Sequence, residues 1–252
     1  MADEAPADAS SAEGTAARVA PVIDDLRLTA ARRTMQLSAA TGLIDVAGVE
    51  QPAFALLLMM RNAFPDRLVP REHLAAPFVY QPPGTAARLL DALAGAGLLQ
   101  ENVDLTISLT DSGRTVMQQL HSLAAQAVAE LWDDEVERAQ SLLPLVERAL
   151  HKGATSAGPG FALMTPTYDA PGASPQVQLS ERLAGLRFHR FDAHVGAWTD
   201  AGFTAATVQA LTPGAERDAL EAETNRRTGA CYGTLEPIER NRLLNGLESL
   251  RR

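Results

Sequence analysis

Apolar and polar positions alternate with a helical period over most of this chain, and one short interruption of that period carries the most information. From Ala16 to Ser38, the residues Val19, Val22, Ile23, Leu26 and Leu28 recur at close to helical spacing, which predicts an amphipathic helix. Gly42 and Gly48 break the pattern, and the apolar run Gln51 to Asn62 predicts a second helix. Pro65 and Pro70 bracket a turn, and Arg71 to Ala76 reads as a short helix opened by Pro70. Phe78 to Gly84, with its Gln-Pro-Pro-Gly, is the next turn. It launches a helix from Pro83 to Ala94 that Gly95 and Gly97 close. Leu98 and Leu99 begin a strand, Glu101 to Asp104 forms a tip, and Leu105, Ile107 and Leu109 alternate as the returning strand. Thr110 caps a long helix from Asp111 to about Trp132, and the pattern can continue through Asp133 to Leu150.

Helix, turn, second helix and a short β-ribbon ending in Leu-Thr-Asp-Ser-Gly-Arg form the outline of a winged helix. Beyond it, residues 153–178 are rich in Gly, Pro, Ala and Ser without a period and read as a linker or mobile loop. Its apolar members Phe161, Leu163, Met164 and Tyr168 suggest that part of it packs. Helical patterns return at Leu179 to Ala201, Thr204 to Leu211, Glu216 to Arg227 and Pro237 to Leu250. The expected fold class is mainly α: a winged helix-turn-helix with a small β-wing plus an additional C-terminal helical region. The expected division is a disordered tail over 1–15, a winged-helix domain with flanking dimerisation helices over 16–152, the linker over 153–178, and the helical region over 179–252.

Composition narrows the function classes. The net charge of −9 argues against a protein that coats nucleic acid non-specifically, but allows a sequence-specific reader with a local basic face. Cys231 is the only cysteine, which excludes an internal disulfide and a thiolate zinc site and suits a reducing cytoplasm. The longest unbroken apolar run, Pro52 to Met60, is too short to span a bilayer, so no membrane association is expected. Met1 to Thr15 is acidic and Ala/Ser-rich, without the basic start or apolar centre of a signal peptide. No cofactor or metal is expected.

The segment Phe54 to Leu120 resembles the multiple-antibiotic-resistance regulator (MarR) family of winged-helix transcription factors. The matching stretches are Phe54-Ala-Leu-Leu-Leu-Met-Met, Arg71-Glu-His-Leu-Ala, Ala86-Ala-Arg-Leu-Leu-Asp-Ala-Leu-Ala-Gly-Ala-Gly-Leu-Leu, and Leu109-Thr-Asp-Ser-Gly-Arg. The resemblance implies a homodimer built from the flanking helices, with double-stranded DNA as partner. Gln81, Thr85 and Arg88 on the reading helix, with Arg71 and Arg114 at its margins, are then the candidates for base or phosphate contact. The tip departs from the family's usual arginine-bearing wing, carrying Glu101, Asn102, Val103 and Asp104. From Asn62 to Ala124, four arginines face six carboxylates, a net of −2, where a dedicated reader has the opposite sign.

The most chemically loaded stretch runs from Arg187 to Trp198. On a helix, His189 and Asp192 share a face, as an oriented imidazole and carboxylate would for general base work or pH sensing; the favoured alternative is a helix pairing that holds the C-terminal region together. Arg187, Phe191, His194 and Trp198 form another stripe, which places His194 about 140° away from His189. That offset is poor for a shared metal, since helical zinc motifs use positions four apart. With the downstream Glu221-Ala-Glu-Thr-Asn-Arg-Arg-Thr-Gly-Ala-Cys-Tyr232, the stretch is also similar to a helical family from GC-rich actinobacteria carrying His-Arg-x-Asp-x-His beside winged-helix elements. A small-molecule effector is expected among Arg187, His189, Asp192, His194, Trp198, Asn225 and Tyr232. The expected function is a ligand-responsive DNA-binding regulator. The alternative is a winged-helix scaffold repurposed as a small-molecule-binding protein or enzyme, with His189 and Asp192 as its acid–base pair. Gly158-Pro-Gly160 lacks the lysine and hydroxyl residue of a phosphate loop.

Overall fold

The computed structural model describes residues 11–64 and 67–251 and is mainly helical, with one small antiparallel sheet. Residues 1–10 of the expected tail, and Pro65 of the expected turn, lie outside the described residues. Ser11 caps the first helix, its hydroxyl accepting from Gly14 N at 2.9 Å, so α1 (Ala12–Ala40) begins inside the stretch expected to be unstructured. A hydroxyl N-cap satisfies a donor that would otherwise have no partner, which is why the start falls there rather than at Ala16. Gly42 and Gly48, both at positive φ, bracket α2 (Leu43–Ala47), and α3 (Gln51–Met59) buries Phe54, Leu57 and Leu58.

The next segment follows the predicted order of helices and hairpin, with an edge strand that the pattern did not predict and a second helix that starts at Thr85 rather than Pro83. Strand β1 (Val69–Pro70) leads into α4 (Arg71–Ala75), and the turn through Gly84 leads into α5 (Thr85–Gly95). Strands β2 (Leu99–Glu101) and β3 (Thr106–Leu109) form a hairpin, with Leu99 opposite Leu109 and Glu101 opposite Ile107. Strand β1 adds to the other side of β3, giving the order β1-β3-β2. Pro70 sits on this edge strand, where its missing N–H removes no ladder bond.

The Leu-Thr-Asp-Ser-Gly-Arg motif fixes the hairpin to α6 (Asp111–Leu131). Thr110 Oγ1 accepts from Gly113 N at 3.0 Å and donates to the Gly97 carbonyl at 2.5 Å. A Cβ on Gly113 would stand 1.9 Å from the Leu98 carbonyl oxygen, so only glycine allows this close approach.

The predicted continuation to Leu150 is broken. Helix α6 stops at Trp132, whose φ of −127° and ψ of 40° leave the helical region, and α7 (Val136–Gly153) starts afresh. The buried Trp132 ring and the poor helix formers Asp133 and Asp134 explain the break better than the apolar period, which carries across it. The segment expected to be a linker is partly ordered into α8 (Pro159–Met164), with Phe161, Leu163 and Met164 buried. Ser174 then caps α9 (Pro175–Asp200), and α10 (Ala205–Gln209), α11 (Ala215–Tyr232) and α12 (Pro237–Glu248) complete the order.

Two apolar cores meet at α9. Leu179, Leu183 and Leu186 pack with α1, α7, α11 and α12, whereas Ala184 and Phe188 pack with α3, α5, α8 and the sheet. Helices α1 and α7, which flank the α3–α6 segment in sequence, are therefore largely covered by the C-terminal helices of the same chain. No helix among the described residues is long and apolar enough to cross a membrane.

Candidate functional site

Helix α5 buries Leu89, Leu90 and Leu93 and leaves Ala87, Arg88, Asp91, Ala92 and Ala94 exposed on its outer face. Arg88 makes no ion pair or side-chain hydrogen bond with a described residue, so its charge is free on that face. The other candidates are engaged. Arg71 bridges Glu101 at 2.6 Å and Asp91 at 3.2 Å. Arg114 donates to the Leu109 carbonyl at 2.8 Å and pairs with Asp111. Thr85 Oγ1 donates to the Pro82 carbonyl at 2.7 Å, and Thr85 and Gln81 border a groove of about 720 Å³ between the α4–α5 turn and α9. At the hairpin tip, Asp104 accepts from Thr106 while Val103 and Leu105 are exposed, so the tip is acidic and apolar.

The residues expected to hold an effector separate into groups. His189 is buried; its Nε2 lies 3.0 Å from Ser156 Oγ, and its ring packs edge-on against Phe161. Burial pushes its pKa down, which keeps it neutral at neutral pH. The Cys231 sulfur is 3.4 Å from Nδ1 and 3.5 Å from Nε2. An in-plane hydrogen bond to one ring nitrogen would leave the other clearly farther away, so this is packing on the ring. Burial lifts the Cys231 thiol to about 12, so it is no thiolate.

Asp192 does not pair with His189. Its oxygens accept from Gly160 N at 3.0 Å and Phe161 N at 2.7 Å, in the first turn of α8. Gly158, the N-cap of α8, has no side chain to supply a cap, and Asp192 takes that role from a distant part of the chain. A Cβ on Gly158 or Gly160 would come within 2.6 or 2.8 Å of the Asp192 carboxylate, which explains both glycines of Gly-Pro-Gly. Three residues apart on a helix was the right spacing for a pair, but each side chain finds a better partner on another element. Burial raises the Asp192 carboxyl above its usual range, and the Phe161, Gly160 and Gly158 N–H groups only partly oppose this.

The stripe at the other spacing does converge, on a residue that sequence reasoning missed. Tyr80, in the turn before α5, accepts from Trp198 Nε1 at 2.9 Å and meets the Phe191 ring edge-on at 5.8 Å. Its ring lies 6.4 Å from that of His194, and its backbone carbonyl accepts from Gln209 at 3.0 Å. Tyr80, Arg187, His194 and Tyr232 line one cavity of about 210 Å³ between α1, α9 and α11. Its charges are paired within the fold: Arg187 with Asp24 at 2.7 Å, and Arg190 with Glu221 at 2.8 Å. Arg190 also donates to Asn225 at 2.7 Å, so Asn225 orients a wall without lining the space. His194 Nδ1 meets Thr224 Oγ1 at 3.0 Å; burial lowers its pKa, with Arg190 and Arg217 working against Glu221. A cavity this small with balanced charge suits a small, uncharged polar molecule. Tyr80 carried no sequence signal beyond being an aromatic in a Pro-rich turn, whereas Arg190 and Glu221 sat inside the motifs already singled out.

Comparison with known protein-family models, curated proteins and solved structures finds no match to this chain.

Proposed function

We propose that this protein is a ligand-responsive, DNA-binding transcription regulator of winged-helix type that acts as a homodimer. In this reading α4, the Gln-Pro-Pro-Gly turn and α5 form the helix-turn-helix, β2 and β3 form the wing, and α5 enters the major groove with Arg88 foremost. The observation that carries the reading is the position of Tyr80. It walls the 210 Å³ cavity and lies in the turn that launches α5. A ligand that moves Tyr80 against Trp198 would therefore change the angle of α5, and with it the spacing of two reading helices in a dimer.

The electrostatics set the expected strength. With Arg71 and Arg114 occupied by carboxylates, few cations per subunit are free for phosphate, so binding is weak and its salt dependence shallow. Because α1 and α7 are largely used within the chain, the copy-to-copy contact must draw on what they leave exposed, including Val136. The enzyme alternative loses support, since His189 and Asp192 share no hydrogen bond and a helix start occupies the carboxylate.

Fluorescence anisotropy at low salt, with the DNA flanking the protein's own gene, tests this. Arg88→Ala is expected to cost about 1–3 kcal/mol of affinity, the range for one base-contacting arginine. Tyr80→Phe, which removes the acceptor for Trp198, is expected to change effector sensitivity and leave effector-free affinity nearly intact. Identical binding by wild type and Arg88→Ala overturns the assignment of α5 as the reading helix.

A further inference from the structure

A second cleft, of about 600 Å³, lies between α1, α3 and α9, and Arg187 borders both it and the cavity around Tyr80. Four arginines, Arg27, Arg32, Arg61 and Arg187, line it without one carboxylate. That is unexpected in a chain with 31 acidic and 22 basic residues. The rest of the wall is mostly apolar, with the thioethers of Met35, Met59 and Met164, which adapt to a guest's shape.

Arg187 is paired with Asp24, but Arg27 and Arg61 share a single carboxylate behind the wall. Glu181 is 2.5 Å from Arg61 and 3.9 Å from Arg27, and all three side chains are less than one-tenth exposed. Two cations against one carboxylate leave a positive charge without a counter-ion away from water, an arrangement that favours an incoming anion. Arg61 Nε has no hydrogen-bond partner among the described residues. Burial pushes Arg27 down to about 10 despite Glu181, and Arg61 and Arg187 add to the effect, so it remains charged at neutral pH. Arg32 is exposed at the rim, with no ion pair to a described residue.

We propose that this cleft binds an amphipathic monoanion, a carboxylate on an unbranched apolar chain. The head group is held near Arg61 and Arg27 and the chain lies along the methionine wall. The charge surplus selects an anion, the apolar wall selects a tail, and the volume is within the range of small-molecule sites. The inference does not depend on DNA binding.

Calorimetry of the full chain with octanoate tests it, with octan-1-ol and octyltrimethylammonium as neutral and cationic matches. One octanoate per chain is expected, bound about tenfold or more tighter than the alcohol, with no binding of the cation. Arg32→Glu and Ala55→Phe both change exposed positions that line the cleft, so the core is left alone. The first is expected to weaken octanoate several-fold, and the second to abolish its binding by filling the space. Equal binding of octanoate and octanol, or full octanoate affinity in Ala55→Phe, overturns the proposal. So does an Ala55→Phe variant that changes only the oligomeric state, which would make the cleft a contact between copies.

Discussion

Replacing Asp192 by alanine separates a catalytic carboxylate from a structural one. The substitution removes both acceptors for Gly160 N and Phe161 N, at 3.0 and 2.7 Å, and both residues are buried. A buried donor left without a partner costs about 1–3 kcal/mol. Loss of a helix cap costs about 1 kcal/mol in ordinary settings, which sets the lower end for each bond. Asp192 is only half-buried, so water recovers part of the loss, and the expected destabilisation is about 2–4 kcal/mol. In a chain of this size that is a fall in Tm of roughly 4–16 °C. Asp192→Asn keeps one acceptor oxygen and is expected to lose about half as much. Urea unfolding measures the total, and amide exchange at Gly160 and Phe161 reports whether the loss is local to α8. If both variants stay within about 0.5 kcal/mol of wild type, as ordinary surface changes do, the capping argument is wrong. A catalytic carboxylate would then be the better account.

Other outcomes follow from the same geometry. Gly113→Ala places a methyl 1.9 Å from the Leu98 carbonyl and is expected to cost at least about 1–3 kcal/mol in thermal or urea unfolding, so a neutral result contradicts the hairpin-to-α6 contact. Leu105 sits at φ 63° and is exposed, so Leu105→Gly should stabilise by up to about 1 kcal/mol, and a loss of stability would mean its side chain is covered by a partner. The Asp192 carboxyl is raised by burial, so its neutral form is favoured by folding and its stabilising effect fades as pH rises from the ordinary value of about 3.9 through the folded one. The destabilisation by Asp192→Asn should accordingly be larger near pH ~4 than near pH ~7 in matched urea titrations, and the reverse order contradicts the sign. Cys231, buried and lifted to about 12, should react with an aromatic disulfide reagent only as fast as the protein opens, and rapid labelling of the folded chain would rule out the inert thiol.

Local signals survived into the structure, and long-range ones did not exist in the sequence. The strand through Ile107 and Leu109, the turn within Phe78 to Gly84 and the Thr110 cap are each determined within a few residues and stand where the pattern put them, whereas Leu105, expected in the returning strand, is exposed at φ 63° outside β3. The break at Trp132 was hidden because apolar spacing continues across it, and only the burial of the indole and two aspartates stop the helix. Helix α8 was hidden because its cap comes from Asp192, 32 positions away. The same distance problem dissolved the His189–Asp192 pair, since a shared helix face says nothing about what other elements offer to each side chain. The Arg27–Glu181–Arg61 cluster joins residues more than 100 positions apart through Arg61 and Glu181, and no spacing rule reaches that far. The stripe of Phe191, His194 and Trp198 was legible as a stripe, yet its meeting point, Tyr80, was not.

Selection of binding sites from a random double-stranded DNA pool at low salt decides whether α5 reads DNA. A homodimeric winged helix reading through α5 should enrich an inverted repeat with half-sites about 10 base pairs apart, and Arg88→Ala should relax one position in each half. A pool that stays at its starting composition after repeated rounds contradicts DNA reading by this protein, whatever its cavities hold.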